Sequence, residues 1–536
     1  MSKLFTAMSY AFVLAAAAAA SMLCACGALP PSEGTDTLQM PAGTAAETEE
    51  EADKMIDISV KSLYPTEKVS QTGSVSDNPS ALGVFMAKNE REALQLVFSS
   101  KEDVGNLTLT CDCDIECELL RIAYVQCGDE KLPDPILPLK SGFKLLAGQN
   151  TAVIARFRTN EDTPAGKYEV VFTLSGGGET VSVTKASITV WDFALPAESK
   201  CRTAFGLNRS FIENAHGVSG GEADEMYRRY YDYLLDNHVC AYSLPYNILD
   251  GRADAYMSDP RVNMFVVPYG SDDEIKAYHS KLSSNPDWFR KAVFYPLDEP
   301  TNPDMITKLI GIGERLSGLY PGYRMVTPFF TNIGYKGGTQ VEAMTGVTNV
   351  WCPKLFCFDT DKKEFGGFSD QMKDRQKAGD EVWWYVCWEP GKPYTNLYVD
   401  EDGLDHRLMF WQQRAADVTG FLYWCANYWS ATPDPWQSMV TVPDLSKTVY
   451  GDGSVLYSGV PAGVDGACGS LRLMQISDGV EDFDLLTLAI EKLGREKVAG
   501  IISGVTKSPR QYTSDDEILF GARREIGELL SGSAAG

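Results

Sequence analysis

From Ile56 to about Pro196 apolar residues alternate with polar ones at a period of two, as in Ile56, Ile58 and Val60, in Leu94, Leu96 and Phe98, and in Tyr168, Val170, Phe172 and Leu174. Successive side chains of a strand point to opposite faces, so this pattern predicts short, half-buried β-strands. Turn signals such as Pro164-Ala165-Gly166 and Gly176-Gly177-Gly178 separate them, and no segment of useful length has the helical period. Residues 56–197 therefore read as an all-β sandwich, an accessory domain for packing or substrate positioning with no catalytic group of its own.

After Cys201 the pattern changes to short apolar runs that alternate with longer amphipathic stretches, the signature of repeated βα units around a parallel sheet. Eight strands are predicted: Thr203 to Leu207, Val239 to Leu244, Met264 to Pro268, Ala292 to Leu297, Met325 to Phe329, Asn349 to Cys352, Val382 to Cys387 and Gly420 to Trp424. Between them, one helix aligns Met305, Leu309, Ile312 and Leu316 on a face, and another aligns Leu404, Leu408, Trp411 and Val418. The first has a clear start, with Asn302 as cap, Pro303 at the first helical position and Asp304 complementing the helix dipole. A last helix, Gly479 to Leu493, completes the set, and 496–536 is left as a helical, polar tail. Eight strands favour a closed barrel over an open sheet, because Asn208-Arg209-Ser210 after the first strand lacks the GxGxxG turn of a dinucleotide fold. The expected fold class is multidomain: an N-terminal all-β sandwich followed by an α/β (β/α)8 TIM barrel over 198–495.

The segment ahead of the sandwich reads as targeting. Lys3 supplies positive charge, Ala11 to Ala20 is apolar and small, and Leu23-Cys24-Ala25-Cys26 resembles a bacterial lipobox in which Cys26 is lipidated. Residues 1–26 are then signal peptide and lipobox; the competing reading is an ordinary signal peptide with an incidental cysteine. Residues 27–55, ending in Glu47-Thr48-Glu49-Glu50-Glu51, are too polar to fold and form a tether. The expected location is extracytoplasmic, at the cell surface, with the membrane touched only through the anchor. A net charge of -25 repels nucleic acid and anionic lipid and suits a neutral partner. Cys111-Asp112-Cys113 with Cys117 lacks the spaced pairs of a zinc site, so buried thiols or one local disulfide are expected, with no metal and no organic cofactor.

In a barrel of this kind function gathers at the C-terminal ends of the strands. Those ends carry Asn208 and Arg209, Tyr246 and Asn247, Tyr269, Asp298 and Glu299, Asn332, Trp388 and Glu389, then Trp424, Asn427 and Trp429. Aromatic rings stack on the C–H faces of sugars, and amides and carboxylates pair with their hydroxyls. Trp351, Trp383 and Trp411 are assigned to the core, whereas the polar-interleaved run Tyr423 to Trp429 reads as a binding rim. Glycosidic cleavage requires an acid for the leaving oxygen. Glu299 is the candidate, with Pro300 biasing it toward an extended backbone. Helix capping, the rival role for these acids, is better served by Asn302.

At this point a resemblance is specific. "AKNEREALQLVF", "YPLDEP", "WWYVCWEPGKPYTNLYVD", "GFLYWCANYW", "GDGSVLYSG" and "LRLMQISDGVEDFDLL" occur in the order and spacing found in glycoside hydrolase family 123 and the uncharacterised domain family around it, over about 56–495. The resemblance implies an exo-acting β-N-acetylgalactosaminidase working by substrate-assisted, retaining catalysis on an oligosaccharide or glycoconjugate. It implies that Asp298 orients the acetamido group of the substrate while Glu299 serves as acid and base. Asn208, Tyr246, Tyr269, Trp388, Glu389, Trp424, Asn427 and Trp429 are the candidate binding residues. Two alternatives stay open: a conventional retaining enzyme with Glu389 as nucleophile opposite Glu299, and a surface glycan-binding lipoprotein without catalysis.

Overall fold

The computed structural model describes residues 57–359, 368–429, 434–441 and 448–532. Cys26 and the tether at 27–55 lie outside the described residues. Those from 57 onward fall in one compact unit with an extensive β-sheet N-terminal region followed by mixed α/β structure.

Two sheets face each other at the N-terminal end. One is wholly antiparallel and runs, edge to edge, Ile58–Leu63, Arg91–Ser100, Asn150–Arg158, Glu116–Cys127, Glu130–Pro138, Ala467–Ser470 and Tyr457–Ser458. The other runs Gly83–Lys88, Glu179–Ala194, Gly166–Gly176, Val104–Asp112 and Phe143–Leu145. The alternating residues meet between them: Leu94, Leu96 and Phe98 from the first sheet bury against Val170, Phe172 and Leu174 from the second. Two strands of the first sheet, Tyr457–Ser458 and Ala467–Ser470, come from beyond the last βα unit. The sandwich is therefore not confined to 56–197, and the chain returns to finish it.

The α/β part follows the expected strands closely. Arg202–Phe205, Gly420–Tyr423, Glu381–Val386, Val350–Pro353 and Val326–Phe329 form one parallel sheet in that order, and Phe265–Val267 pairs in parallel with Ala292–Phe294. Phe294 bridges Met325, and Phe205 bridges Ala241. The Val266 N–H donates to the Tyr242 carbonyl at 2.8 Å. Val239 to Leu244 is thus joined by single bridges rather than by a ladder, since Ser243 and Pro245 interrupt its apolar run. The helix Pro303–Leu319 is capped as expected, with the Asn302 side chain accepting from the Met305 N–H at 3.0 Å. Its apolar face buries Ile306, Leu309, Ile312 and Leu316. Helix Gly403–Ala415 buries Leu404, Leu408 and Trp411 but ends before Val418. Among the described residues the eleven cysteines are free thiols.

The helix Leu471–Leu493 starts well ahead of Gly479 and is buried over most of its length, charges included. Gly479 is required there because a Cβ would strike the Phe410 ring. Its acids close an ionic network that joins the two parts of the chain. Asp482 accepts from Arg407 at 2.7 Å and from Arg523 at 2.6 Å, and Arg407 also donates to Glu92 of the sandwich at 2.8 Å. Arg523 reaches Glu90 from helix Asp516–Leu530. That helix also buries Leu519 and Ile526, so the C-terminal segment is built into the protein and is not a polar tail. Buried charges of this kind are tolerable only when each is paired and hydrogen-bonded.

Candidate active site

The strand Ala292–Phe294 stops three residues after it enters the core, and Tyr295 to Glu299 then forms an irregular segment at its C-terminal end. Glu299 has φ of +36°, outside the extended conformation expected from Pro300. Non-glycine residues visit positive φ at a cost, and such backbone gathers at functional sites where surrounding contacts hold it. Here those contacts are visible. The Tyr295 hydroxyl donates to Asp298 Oδ1 at 2.7 Å, the Tyr385 hydroxyl donates to Glu299 Oε1, and Lys354 Nζ lies 3.8 Å from the same oxygen.

The two carboxyls have different surroundings. Asp298 is open to solvent, yet it is closely surrounded by protein atoms. Loss of hydration, followed by the neighbouring Glu299 charge, pushes its carboxyl up to about 6. Glu299 instead faces two donors, a phenol and an ammonium. Lys354 is buried, and its Nζ lies 4.8 Å from the Phe330 ring centre, 5.3 Å from Tyr385, 5.7 Å from Phe356 and 5.8 Å from Trp388. Burial opposes its charge, but Cys387, Glu299 and Glu389 outweigh that and hold the ammonium above its usual range. The backbone sets this contact, because Lys354 bridges Tyr385 between adjacent parallel strands.

A third acid stands within electrostatic reach of Lys354. Asp452 is buried and accepts from the Trp424 indole N–H at 3.1 Å and the Tyr423 hydroxyl at 3.2 Å. Burial pushes its carboxyl up to about 6. Gly453 follows at φ of +71°, and Trp424 packs where a Cβ would stand. The loop is clamped from behind by Arg472, which donates to the Gly451 carbonyl at 2.8 Å, the Ser454 carbonyl at 2.5 Å and the Leu397 carbonyl at 3.0 Å. Asp134 of the sandwich grips the same guanidinium at 3.0 and 2.7 Å.

The expected binding residues divide. Trp388 and Trp424 stand beside Lys354 and Asp452, and Glu389 is exposed next to Trp388. Asn427 is fully buried and spends its amide on the Asn208 backbone, accepting at 2.8 Å and donating at 2.9 Å. Asn208 in turn caps the helix Arg209–His216 through Ser210. Asn427 therefore has no amide atom left for a sugar, whereas Asn208 is exposed and engages only its side-chain oxygen, with Ser210. Trp429 is buried with its indole N–H on the Leu456 carbonyl at 3.0 Å, a core position and not a binding rim. Tyr246 is covered by Arg252 at 4.3 Å, and Tyr269 by Arg315 at 4.8 Å. Lys354, Tyr385, Tyr295 and Asp452 were not legible as site residues. Lys354 follows a predicted strand end by two residues, which is the signal that could have found it.

Residues 356–489 match the model of the glycoside hydrolase 123 catalytic domain. That segment holds Tyr385, Trp388, Glu389, Trp424 and Asp452 and begins after Asp298 and Glu299. Among solved structures, the chain is similar to a family 123 glycoside hydrolase from Clostridium perfringens, described for glycolipid glycan hydrolysis. The likeness has a TM-score of 0.64 at 11% identity and covers 89% of this chain and 99% of that one. A family 39 glycoside hydrolase from Bacteroides cellulosilyticus matches with a TM-score of 0.30 at 9% identity, over 75% of this chain and 81% of that one, too weak a likeness to bear on the fold. No curated protein matches this chain. The catalytic-domain match over 356–489 and the whole-chain likeness in fold agree, and they identify the chain as a glycosidase.

Proposed function

We propose that this glycosidase removes terminal β-linked N-acetylhexosamine, and N-acetylgalactosamine in particular, by retaining, substrate-assisted catalysis. The observation that carries the reading is the adjacency of Asp298 and Glu299 at one strand end with unlike surroundings. Two neighbouring carboxylates cannot flank a sugar ring from opposite faces, as an acid and an enzymatic nucleophile must. They can share one side: Asp298 accepts the acetamido N–H and steadies the positive charge as the acetamido oxygen attacks the anomeric carbon. Glu299 protonates the leaving oxygen and then takes a proton from the water that opens the cyclic intermediate. Tyr385 and Lys354 hold Glu299 in place for both steps. Trp388 and Trp424 offer the apolar faces a sugar needs.

The scaffold proposed for this site is a (β/α)8 barrel. It is supported by parallel pairings and bridges, with one backbone hydrogen bond from Val266 to Tyr242, that link all eight segments in sequence order and return from Gly420–Tyr423 to Arg202–Phe205. Lipid anchoring at Cys26, a cell-surface location and a tether at 27–55 complete the proposal on sequence grounds alone.

The test is inhibition by an acetamido-derived thiazoline, alongside turnover of aryl β-GalNAc, aryl β-GlcNAc and non-acetamido glycosides. Strong inhibition with activity confined to acetamido sugars is expected. Weak inhibition with a covalent sugar trapped on Glu389 would overturn the mechanism, and silence on all three glycosides from folded protein would overturn the activity.

A further inference from the structure

Beside the cleavage centre lies a cavity of about 240 Å³ lined by Phe356, Glu389, Pro390, Gly391, Lys392, Pro393, Tyr394 and Arg510. We propose that this cavity, walled by Glu389, Tyr394 and Arg510, is a second sugar-binding site that takes the neutral, hydroxyl-bearing unit next to the one being released. The proposal rests on the glycosidase reading above and adds where the rest of the glycan binds.

Position comes first. Phe356 lines the cavity and holds its ring centre 5.7 Å from the Lys354 ammonium, and that ammonium lies 3.8 Å from Glu299. Trp388, immediately before Glu389, stands 5.8 Å from the same ammonium. The cavity therefore lies on the Lys354 side of the acid, with Phe356 and Lys354 linking the two. A unit bonded to the scissile oxygen would have to pass this way or leave into solvent.

The chemistry of the walls comes second. Glu389 is exposed and makes no side-chain hydrogen bond or ion pair among the described residues, so its oxygens are available to hydroxyl donors. Arg510 lines the same cavity with 31% of its side chain open and is paired with Asp359 at 2.5 Å. The buried Tyr394 hydroxyl donates to the same Asp359 at 2.5 Å, and its ring lies 6.0 Å below the guanidinium. Both bases at the walls are already paired, Lys392 with Asp405 and Arg510 with Asp359, and the remaining charge is that of Glu389, which disfavours an anionic ligand. A carboxylate acceptor, a guanidinium donor and aromatic and proline faces are what a sugar ring needs. The volume, below the roughly 300–1,000 Å³ of drug-sized sites, suits one unit and not a chain.

The wall is also built in. Arg510 sits at the turn of the hairpin Thr506–Ser508 with Gln511–Tyr512, and Gln412 of the buried helix donates to the Ser508 carbonyl at 3.5 Å and the Pro509 carbonyl at 3.4 Å. A segment outside the matched catalytic region, 356–489, thus supplies the far side of the site.

The experiment compares aryl β-GalNAc with a disaccharide of GalNAc β-linked to galactose, in wild-type protein and in Arg510→Ala and Arg510→Lys. In Arg510→Ala, kcat/KM is expected to fall at least tenfold more on the disaccharide than on the aryl glycoside. Arg510→Lys, which keeps the charge facing Asp359 but loses the planar fork, should fall similarly on the disaccharide while retaining wild-type thermal stability. Equal losses on both substrates, or no loss on either, would overturn the second site. If wild-type protein cleaves neither substrate, the glycosidase reading has failed separately. Calorimetric binding of the disaccharide to Glu299→Gln protein, with and without Arg510→Ala, then decides the site: at least tenfold weaker binding supports it, and unchanged binding overturns it.

Discussion

Replacing Asp134 by Asn breaks the ion pair between the sandwich and the helix Leu471–Leu493 and is expected to be felt at the loop that carries Asp452. Asp134 and Arg472 are both without solvent exposure, and the carboxylate takes two of the guanidinium's five close contacts, at 3.0 and 2.7 Å. The other three go to the carbonyls of Leu397, Gly451 and Ser454. Asn has nearly the same volume, so no cavity opens, but it carries no charge and turns an N–H₂ toward the guanidinium. Arginine cannot shed its proton, so the charge stays buried and unpaired, a change that costs about 3–5 kcal/mol. With a urea m-value of roughly 3 kcal/mol/M, the unfolding midpoint should drop by about 1 M or more. Because the released guanidinium also clamps both sides of Asp452, kcat/KM should fall under conditions where the variant is fully folded. The double variant Asp134→Leu, Arg472→Met removes both charges and should regain most of the stability while activity stays low, since the carbonyl clamp is gone. An unchanged midpoint in Asp134→Asn would refute the electrostatic argument. Full activity in the double variant would refute the clamp.

Two further outcomes follow from the pair itself. Asp298 acts as an acceptor only when ionised, and its carboxyl is raised to about 6, so kcat/KM should hold above that pH and fall as pH drops through about 6. In Asp298→Asn the residual activity should lose this limb; if the limb persists, it belongs to Asp452, whose carboxyl is raised to the same range. Tyr385→Phe keeps the buried ring and removes the donor to Glu299. A hydrogen bond to a charged group contributes about 1.5–3 kcal/mol, so a fall of about tenfold to a hundredfold in kcat/KM is expected with unchanged thermal stability, and a loss under about twofold would deny the phenol its role.

The strands of the α/β part were legible because each is a run of apolar residues bounded by polar breaks, and Gly420–Tyr423 or Val326–Phe329 could be read almost to the residue. The acid pair was legible because it ends such a run. Tyr457–Ser458 and Ala467–Ser470 were not, since strands so short have no period to detect and owe their conformation to the edge at Glu130–Pro138. Trp429 was misread because polar neighbours such as Asn427 suggested a wet surface. Those polar atoms are in fact satisfied by the backbone of Asn208, which composition cannot reveal. Lys354 and Tyr385 escaped for the opposite reason: a tyrosine inside "WWYVCW" looks like core, and only the parallel pairing of two strands brings it against a lysine and an acid.

That pairing also explains why Glu299 can be held in an unfavourable backbone conformation. The two groups that grip its carboxylate stand on the two strands that follow the Asp298–Glu299 strand and its neighbour, and their positions are fixed by buried Cys352, Trp383 and Trp384 rather than by a loop. Among the described residues no side chain from another strand hydrogen-bonds Asp298, which feels Lys354 only through its charge; its hydroxyl donor, Tyr295, lies three residues away in the same segment. Glu299, the acid proposed to give and recover a proton, is therefore anchored by the scaffold. On the proposed mechanism, the acid that meets the substrate's acetamido group is tied only locally, and it stays open to solvent until that group arrives to replace the water.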